Sequence, residues 1–181
     1  MGDPKKPKKQ YATPSHPFRK ARIDAEKIYK KNYGLKNKTE IWKADSRVRG
    51  YWRQAKHIIA TRTEQAEKER QQLLTKLVRL GLLQSTQAVG AVLNITLEQL
   101  LNRRLQTVVV RKQLARSMKQ ARQFITHGHI IVGGKTITTP SYLVKKDEEP
   151  TISFVPNSTL ASEEHPERAL NKKAPQIKEA V

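Results

Sequence analysis

Cysteine is absent from the chain, which excludes disulfides, thiolate zinc sites and a cysteine nucleophile. That composition fits a reducing, cytoplasmic setting. Long apolar runs are missing as well. None exceeds three or four residues, against the roughly 20 that a membrane-spanning helix needs. Met1-Gly2-Asp3-Pro4-Lys5-Lys6 has no apolar stretch behind it, so no secretory signal is expected. Position 6 holds lysine where a myristoylation signal carries Ser or Thr. Acidic residues are scarce: 16 stand against 36 Lys and Arg, a net charge of +20 in 181 residues. Such a charge repels itself in the compact state unless a polyanion offsets it. A membrane binder would set its charge beside an apolar face, a lipidation signal or a spanning segment. The expected partner is therefore nucleic acid, with no membrane and no small-molecule substrate.

The charge is uneven. Residues 1–60 hold 17 basic and 5 acidic residues, 61–150 hold 15 and 7, and 151–181 hold 4 of each. The polyanion is expected on the first five-sixths of the chain. Four regions are expected: a basic, proline-broken tail over 1–16, a helical region over 17–101, a compact unit over 102–156 and an irregular tail over 157–181. The first tail, with Lys5, Lys6, Lys8 and Lys9, is too polar to bury a core and is expected to order only on phosphate. A solvated tail without a role is the plain alternative.

A first helix is expected from Pro17, with an apolar stripe of Phe18, Ala21, Ala25 and Ile28 and a stop at Gly34. Asn37 and Glu40 have capping-box spacing and open a second helix. Its stripe is Ile41, Ala44, Val48, Trp52, Ala55 and Ile59, its outer faces carry Lys43, Arg47, Arg49, Arg53 and Lys56, and Gly50 invites a local irregularity. A third helix covers about 63–80 with Leu73, Leu77 and Leu80 inward, and ends at Gly81. A short helix is expected near Gln87–Leu93, and Thr96 with Gln99 caps another that runs to Arg104. Val108–Ala115 and Met118–Thr126 read as two more, the second capped by Ser117 with Gln120 spaced for a box and stopped at Gly128. Then the period changes to that of strands: Ile130 and Val132, a Gly133-Gly134 turn and Ile137, followed by short strands at Tyr142–Val144 and Ile152–Phe154. The fold class is α+β.

Catalytic and metal chemistry find little footing. Gly128…Gly134-Lys135-Thr136 has five residues between its glycines where a phosphate-binding loop requires four, and those five read as a strand. His127 and His129 make two ligands where a transition metal wants three or four. No Ser/His/Asp set or carboxylate pair stands out. The expectation is no enzyme, no cofactor and no metal.

Nucleic-acid chemistry is better supplied. Arg111, Lys112, Arg116, Lys119 and Arg122 gather over two short helices joined by a turn, with Gln123 also on the exposed side. His127, His129 and Lys135 follow where helix gives way to sheet. Such a surface can grip phosphates and the shape of folded RNA without reading many bases. Among the aromatics, Trp52 lies on the apolar stripe and is expected in the core. Tyr29, Tyr33 and Tyr51 are open to packing or to base stacking.

A wider pattern now emerges. Arg103-Arg104-Leu105-Gln106-Thr107, Ser117, Gln120-Ala121-Arg122, Ile125, His127-Gly128-His129-Ile130, Val132, Gly134-Lys135 and Pro140-Ser141-Tyr142-Leu143-Val144 resemble the RNA-binding module named after the fourth protein of the small ribosomal subunit. Upstream, Tyr33-Gly34-Leu35-Lys36-Asn37-Lys38, Glu40-Ile41-Trp42 and Gln65-Ala66-Glu67-Lys68-Glu69-Arg70 are similar to the archaeal and eukaryotic branch of that ribosomal family. The N-terminal cysteine cluster of many bacterial members is missing, so no zinc carries over, and Gly133 stands where the pattern often has Asn. The resemblance implies two helices packed on a small antiparallel sheet, and adds Arg104, Ser117 and Gln120 to the candidate RNA contacts. It further implies a place in the small ribosomal subunit, binding ribosomal RNA early at a junction of the 5′ domain. Neighbouring ribosomal proteins would lie beside it, with messenger RNA entering the subunit close by. The alternatives are an RNA-modifying enzyme that borrows the module and a free-standing RNA chaperone.

Overall fold

The computed structural model describes residues 2, 9–61, 63–84, 88–162 and 165–169. Helices come first: α1 (Lys20–Asn32), α2 (Lys38–Ala60), α3 (Glu64–Arg79), a 3₁₀ helix over Val89–Asn94, α4 (Leu97–Asn102), α5 (Leu105–Arg111) and α6 (Met118–Thr126). Strands β1 (Ile130–Val132), β2 (Lys135–Thr136) and β3 (Ser153–Phe154) form one antiparallel sheet in the order β2-β1-β3. A 3₁₀ turn (Thr159–Ala161) and α7 (Pro166–Ala169) follow. The α+β class is as expected.

At 23 residues, α2 spans about 35 Å and is the spine of the upstream half. It continues unbroken through Gly50. Its inward stripe is Ile41, Val48, Tyr51, Ala55 and Ile58, the last four packed with Leu73 and Leu77 of α3 and with Leu83, Val89, Val92, Ile95 and Leu100. The stripe differs from the sequence expectation. Ile59 is exposed, Trp52 is half-buried at the edge, and Tyr51 is the aromatic that packs inside. The neighbours lie on the Tyr51–Ile58 side of α2, and that position decides between adjacent apolar residues.

The expected first helix forms from Lys20, not Pro17, and its expected stripe fails outright. Phe18 and Ile28 are 91% and 59% exposed, and Ala21 and Ala25 also face outward. The inward face is Arg22, Glu26, Tyr29 and Tyr33, and Glu26 is only 5% exposed. Its carboxylate is bound by Arg22, by the indole N–H of Trp42 at 2.9 Å and by Lys38 at 3.5 Å. Two alanines offer little apolar area, so a carboxylate with two hydrogen-bond donors and a lysine beside it sets the rotation of α1 instead. Part of the N-terminal tail packs on α2. Tyr11 stacks on Trp42 with ring centroids 6.5 Å apart, and the Ala12 amide donates to Ser46 Oγ at 3.0 Å. Lys5, Lys6 and Lys8 lie outside the described residues.

The downstream unit has its own core, drawn from α5, α6 and the sheet: Leu105, Val108, Val109, Ala121, Phe124, Ile125, Ile130, Val132, Val144, Ile152 and Phe154. Gly133 and Gly134 join β1 to β2 with φ of +56° and +79°, the two positive values a type I′ hairpin turn needs. Tyr142–Val144 is not a strand of this sheet. It bridges to the α4–α5 connection, where the Leu105 amide donates to the Tyr142 carbonyl at 2.8 Å and the Val144 amide to the Arg103 carbonyl at 3.0 Å. Nor is the start of the C-terminal tail detached: Leu160 is buried in the same core.

Beside the boundary between the halves lies a small apolar cluster of Leu35, Ile41 and Leu101, all from the upstream half. Beside it, Gly34 ends α1 at φ +57°, and a Cβ there would stand 2.6 Å from Met118 Cβ at the start of α6. Gln106, fully buried, donates from Nε2 to the carbonyls of Gly34 at 3.3 Å and Met118 at 2.8 Å. Gly34→Ala therefore meets both a strained backbone and a clash, and is expected to lower stability by roughly 2–4 kcal/mol in urea unfolding. Phe18→Ala, which removes a side chain that stands almost wholly in solvent, is expected to stay within about 0.5 kcal/mol of the parent.

Candidate nucleic-acid interface

The two helices of the downstream unit lie side by side, joined by a turn in which Gln113 takes a φ of +59°. Ser117 Oγ accepts from the Gln120 amide at 3.2 Å and caps α6. The reciprocal half of the expected box is displaced by one residue, since Gln120 Oε1 accepts from the Arg116 amide at 2.8 Å. This turn brings Arg111, Arg116 and Lys119 to the surface together, all exposed. Gln123, His127 and Lys135 are exposed as well, Lys135 on β2.

Other members of the candidate set are engaged within the protein. Lys112 Nζ donates to the carbonyls of Pro150 at 3.1 Å and Ile152 at 3.4 Å, tying α5 to the strand segment. Gln120 Nε2 donates to Glu167 at 2.6 Å, and His129 Nδ1 lies 2.9 Å from Ser158 Oγ. Both contacts hold the C-terminal segment on the unit. His127 stacks on His129 with centroids 6.4 Å apart.

Arg104 and Arg122 correct the reading of a freely exposed cationic face. Arg104 is 5% exposed, and its Nη2 donates to Glu40 Oε2 at 2.6 Å. Arg122 Nη2 donates to Glu40 Oε1 at 2.9 Å. The Asn37/Glu40 capping box does not form. Asn37 contributes its carbonyl to the Glu40 amide, and the Glu40 side chain turns to the two guanidiniums. Burial alone would raise the Glu40 carboxyl pKa, but the hydrogen bond from Arg122 and the charges of Arg104 and Arg122 outweigh it, and the net shift is downward. The Arg104 pKa is lowered, first by burial and further by the charges of Arg122 and Arg47, against the opposing pull of Glu40. A similar clasp closes the far side. Arg103 Nη1 donates to Glu149 at 2.7 Å, while Glu148 accepts from Tyr142 and Lys145, both at 2.8 Å.

The five candidate cations of α2 divide between two flanks of its buried stripe. Lys43 and Arg47, one turn apart, line a cleft of about 210 Å³ with Glu40, Arg104, Arg122 and Ser141. Arg49, Arg53 and Lys56 lie on the opposite flank, where Arg49 pairs with Asp45 at 2.9 Å. The first pair therefore continues toward the downstream unit and the other three do not. Of the aromatics left open, Tyr51 is buried while Tyr29 and Tyr33 are half-buried against the Leu35–Ile41–Leu101 contact. Glu40, Gln106 and Ser141 are the site residues that sequence reasoning missed. Arg104 and Arg122 are 64 and 82 residues beyond Glu40, and no local spacing signals such pairing.

Known proteins share much of this sequence. Residues 103–149 match the S4 domain family. Over 169 residues, 93% of the chain, the sequence is 50% identical to the small ribosomal subunit protein uS4 of Methanococcus maripaludis strain C5, of which 95% is covered. Against the protein of the same name from Methanococcus aeolicus strain Nankai-3 the identity is 52%, covering 93% of this chain and 96% of that one.

The downward shift of Glu40 fixes a sign. A carboxyl more acidic folded than unfolded stabilises the fold above its unfolded pKa, and that contribution fades as pH falls through the folded value. Glu40→Gln should cost roughly 2–4 kcal/mol at neutral pH, since two guanidiniums lose their charged acceptor. Its stability should also fall less than the parent's as pH drops below the ordinary glutamate value of 4.5. Urea midpoints across a pH series check both.

Proposed function

Since the chain belongs to the archaeal-type uS4 family of small ribosomal subunit proteins, we propose that it is a structural constituent of the small subunit that binds ribosomal RNA directly and catalyses no reaction. The observation that carries this reading is the grouping of Arg111, Arg116 and Lys119 on the S4-domain surface, exposed and flanked by Gln123, His127 and Lys135. These groups can displace counterions from phosphates while the rigid unit beneath them selects RNA shape. Lys112, Ser117, Gln120 and His129 serve the same surface by fixing the turn and the C-terminal segment that border it. Arg104 and Arg122 bear on it from beneath, through Glu40.

In this role residues 17–101 and 102–156 act as two parts of one RNA-binding body. The family resemblance supports a finer placement, at a multi-helix junction of the 5′ domain of the small-subunit RNA. There the protein nucleates assembly beside other ribosomal proteins. It also lies where messenger RNA enters, supporting translation and its accuracy. Lys5, Lys6, Lys8 and Lys9 extend the contact along the RNA, and Arg49, Arg53 and Lys56 offer a second basic flank. The setting is the cytoplasm. No helix of the described residues is long and apolar enough to cross a membrane.

Binding to a 5′-domain transcript over a salt series, with unrelated structured RNA as competitor, tests the reading. The protein should hold the transcript against the competitor, with affinity falling steeply as salt rises. Replacing Arg111, Arg116 and Lys119 together by Gln should reduce the log–log salt slope by roughly 2–3, at about 0.9 for each phosphate no longer neutralised. Equal affinity for every RNA would favour the chaperone reading, and an unchanged slope would remove these residues from the interface.

A further inference from the structure

The cleft between α2 and the downstream unit differs from the convex surface above it. Its volume of about 210 Å³ is that of roughly seven waters at about 30 Å³ each. That is room for one phosphate with part of its sugar, and not for a base pair. Four cations line it, Lys43, Arg47, Arg104 and Arg122, against the single carboxylate of Glu40. Both Glu40 oxygens are already taken, one by each of Arg104 and Arg122. Arg47 has no carboxylate partner among the described residues, and Lys43 Nζ faces a ring, that of Tyr11, 5.8 Å away. Lys43 and Arg47 are exposed at the mouth, Arg122 is about a quarter exposed, and Arg104 closes the floor. Three guanidiniums and an ammonium around one carboxylate leave a surplus of positive charge, and a concave low-dielectric wall focuses that field. Ser141 adds a hydroxyl to the lining.

Resting on the RNA-binding reading, we propose that this cleft is a seat for one phosphate group of the RNA backbone, gripped by Lys43, Arg47 and the outer edge of Arg122. Arg104 and Glu40 hold Arg122 in place and need not touch the anion. The seat draws cations from both halves of the protein, so an occupying phosphate would pull α2 and α6 toward one another. The tetrahedral oxyanion is the chemistry recognised, and a free phosphate presents it as an RNA backbone does.

Two arms test the seat on the full chain. First, inorganic phosphate is titrated at constant ionic strength while arginine Nε–H resonances are followed by NMR. Saturable shifts are expected for Arg47 and Arg122, and Arg47→Gln should abolish saturation at Arg122 with the remaining spectrum unchanged. Small linear shifts spread over all arginines would overturn the seat. Second, Lys43→Gln/Arg47→Gln should bind the 5′-domain transcript about tenfold more weakly, with a salt slope lower by roughly one. Phosphate saturation with unchanged RNA affinity would overturn the assignment to RNA and leave a site for free oxyanions. Loss of the seat while RNA binding still depends on Arg111, Arg116 and Lys119 sinks this inference alone. Failure of the parent protein to bind RNA sinks the broader reading independently.

Discussion

One carboxylate sets the relation between the two halves of this protein. Glu40, in the first turn of α2, receives Arg104 from the head of α5 and Arg122 from the middle of α6. Each half has a hydrophobic core of its own, and from the downstream unit Leu143 packs against the upstream one. Hydrophobic burial is non-directional and would tolerate several orientations at such a contact. Charged hydrogen bonds would not, because a buried guanidinium without its acceptor is costly. Gln106 adds a second directional tie by bridging the carbonyls of Gly34 and Met118. The orientation of α2 against the S4 domain thus depends on polar geometry more than on area.

The scarcity of acidic residues acquires meaning in this light. Glu26 fixes the rotation of α1, Glu40 joins the halves, and Glu148 and Glu149 fasten the loop before β3 to Tyr142, Lys145 and Arg103. Carboxylates stand where the chain needs a directional tie, and each engages cations that would otherwise repel. Much of the remaining positive charge faces outward. A protein that needs a polyanion for electrostatic balance can still present an ordered surface to it, because these ion pairs hold the buried side chains in place.

Much of the architecture was legible from local signals. The Thr96/Gln99 capping box forms in full, with both reciprocal hydrogen bonds. Gly34, Gly81 and Gly128 end their helices, and the Gly133-Gly134 hairpin has the expected turn. These features depend on residues a few positions apart. Where sequence reasoning failed, the deciding partner was distant. The Phe18–Ile28 stripe had the right period, but Trp42 and Lys38 reach α1 from another helix. Tyr142–Val144 looked like a strand and found its partner at Arg103–Leu105. The shared exposure of Arg111, Arg116 and Lys119 could be expected from charge and helical spacing alone. That Arg104 and Arg122 belong to a latch became visible only with Glu40 beside them.

If Glu40 and Gln106 do fix the two halves, the halves should open together. Native-state hydrogen exchange in increasing urea measures this directly. Amides of the upstream core, such as Tyr51, Ile58 and Leu77, are compared with those of the S4 domain, such as Ile125, Ile130 and Val132. The account predicts that both sets merge into one unfolding isotherm in the parent chain and separate when Glu40 is replaced by Gln. Two distinct isotherms in the parent chain would contradict it, since the halves would then open independently with the latch in place.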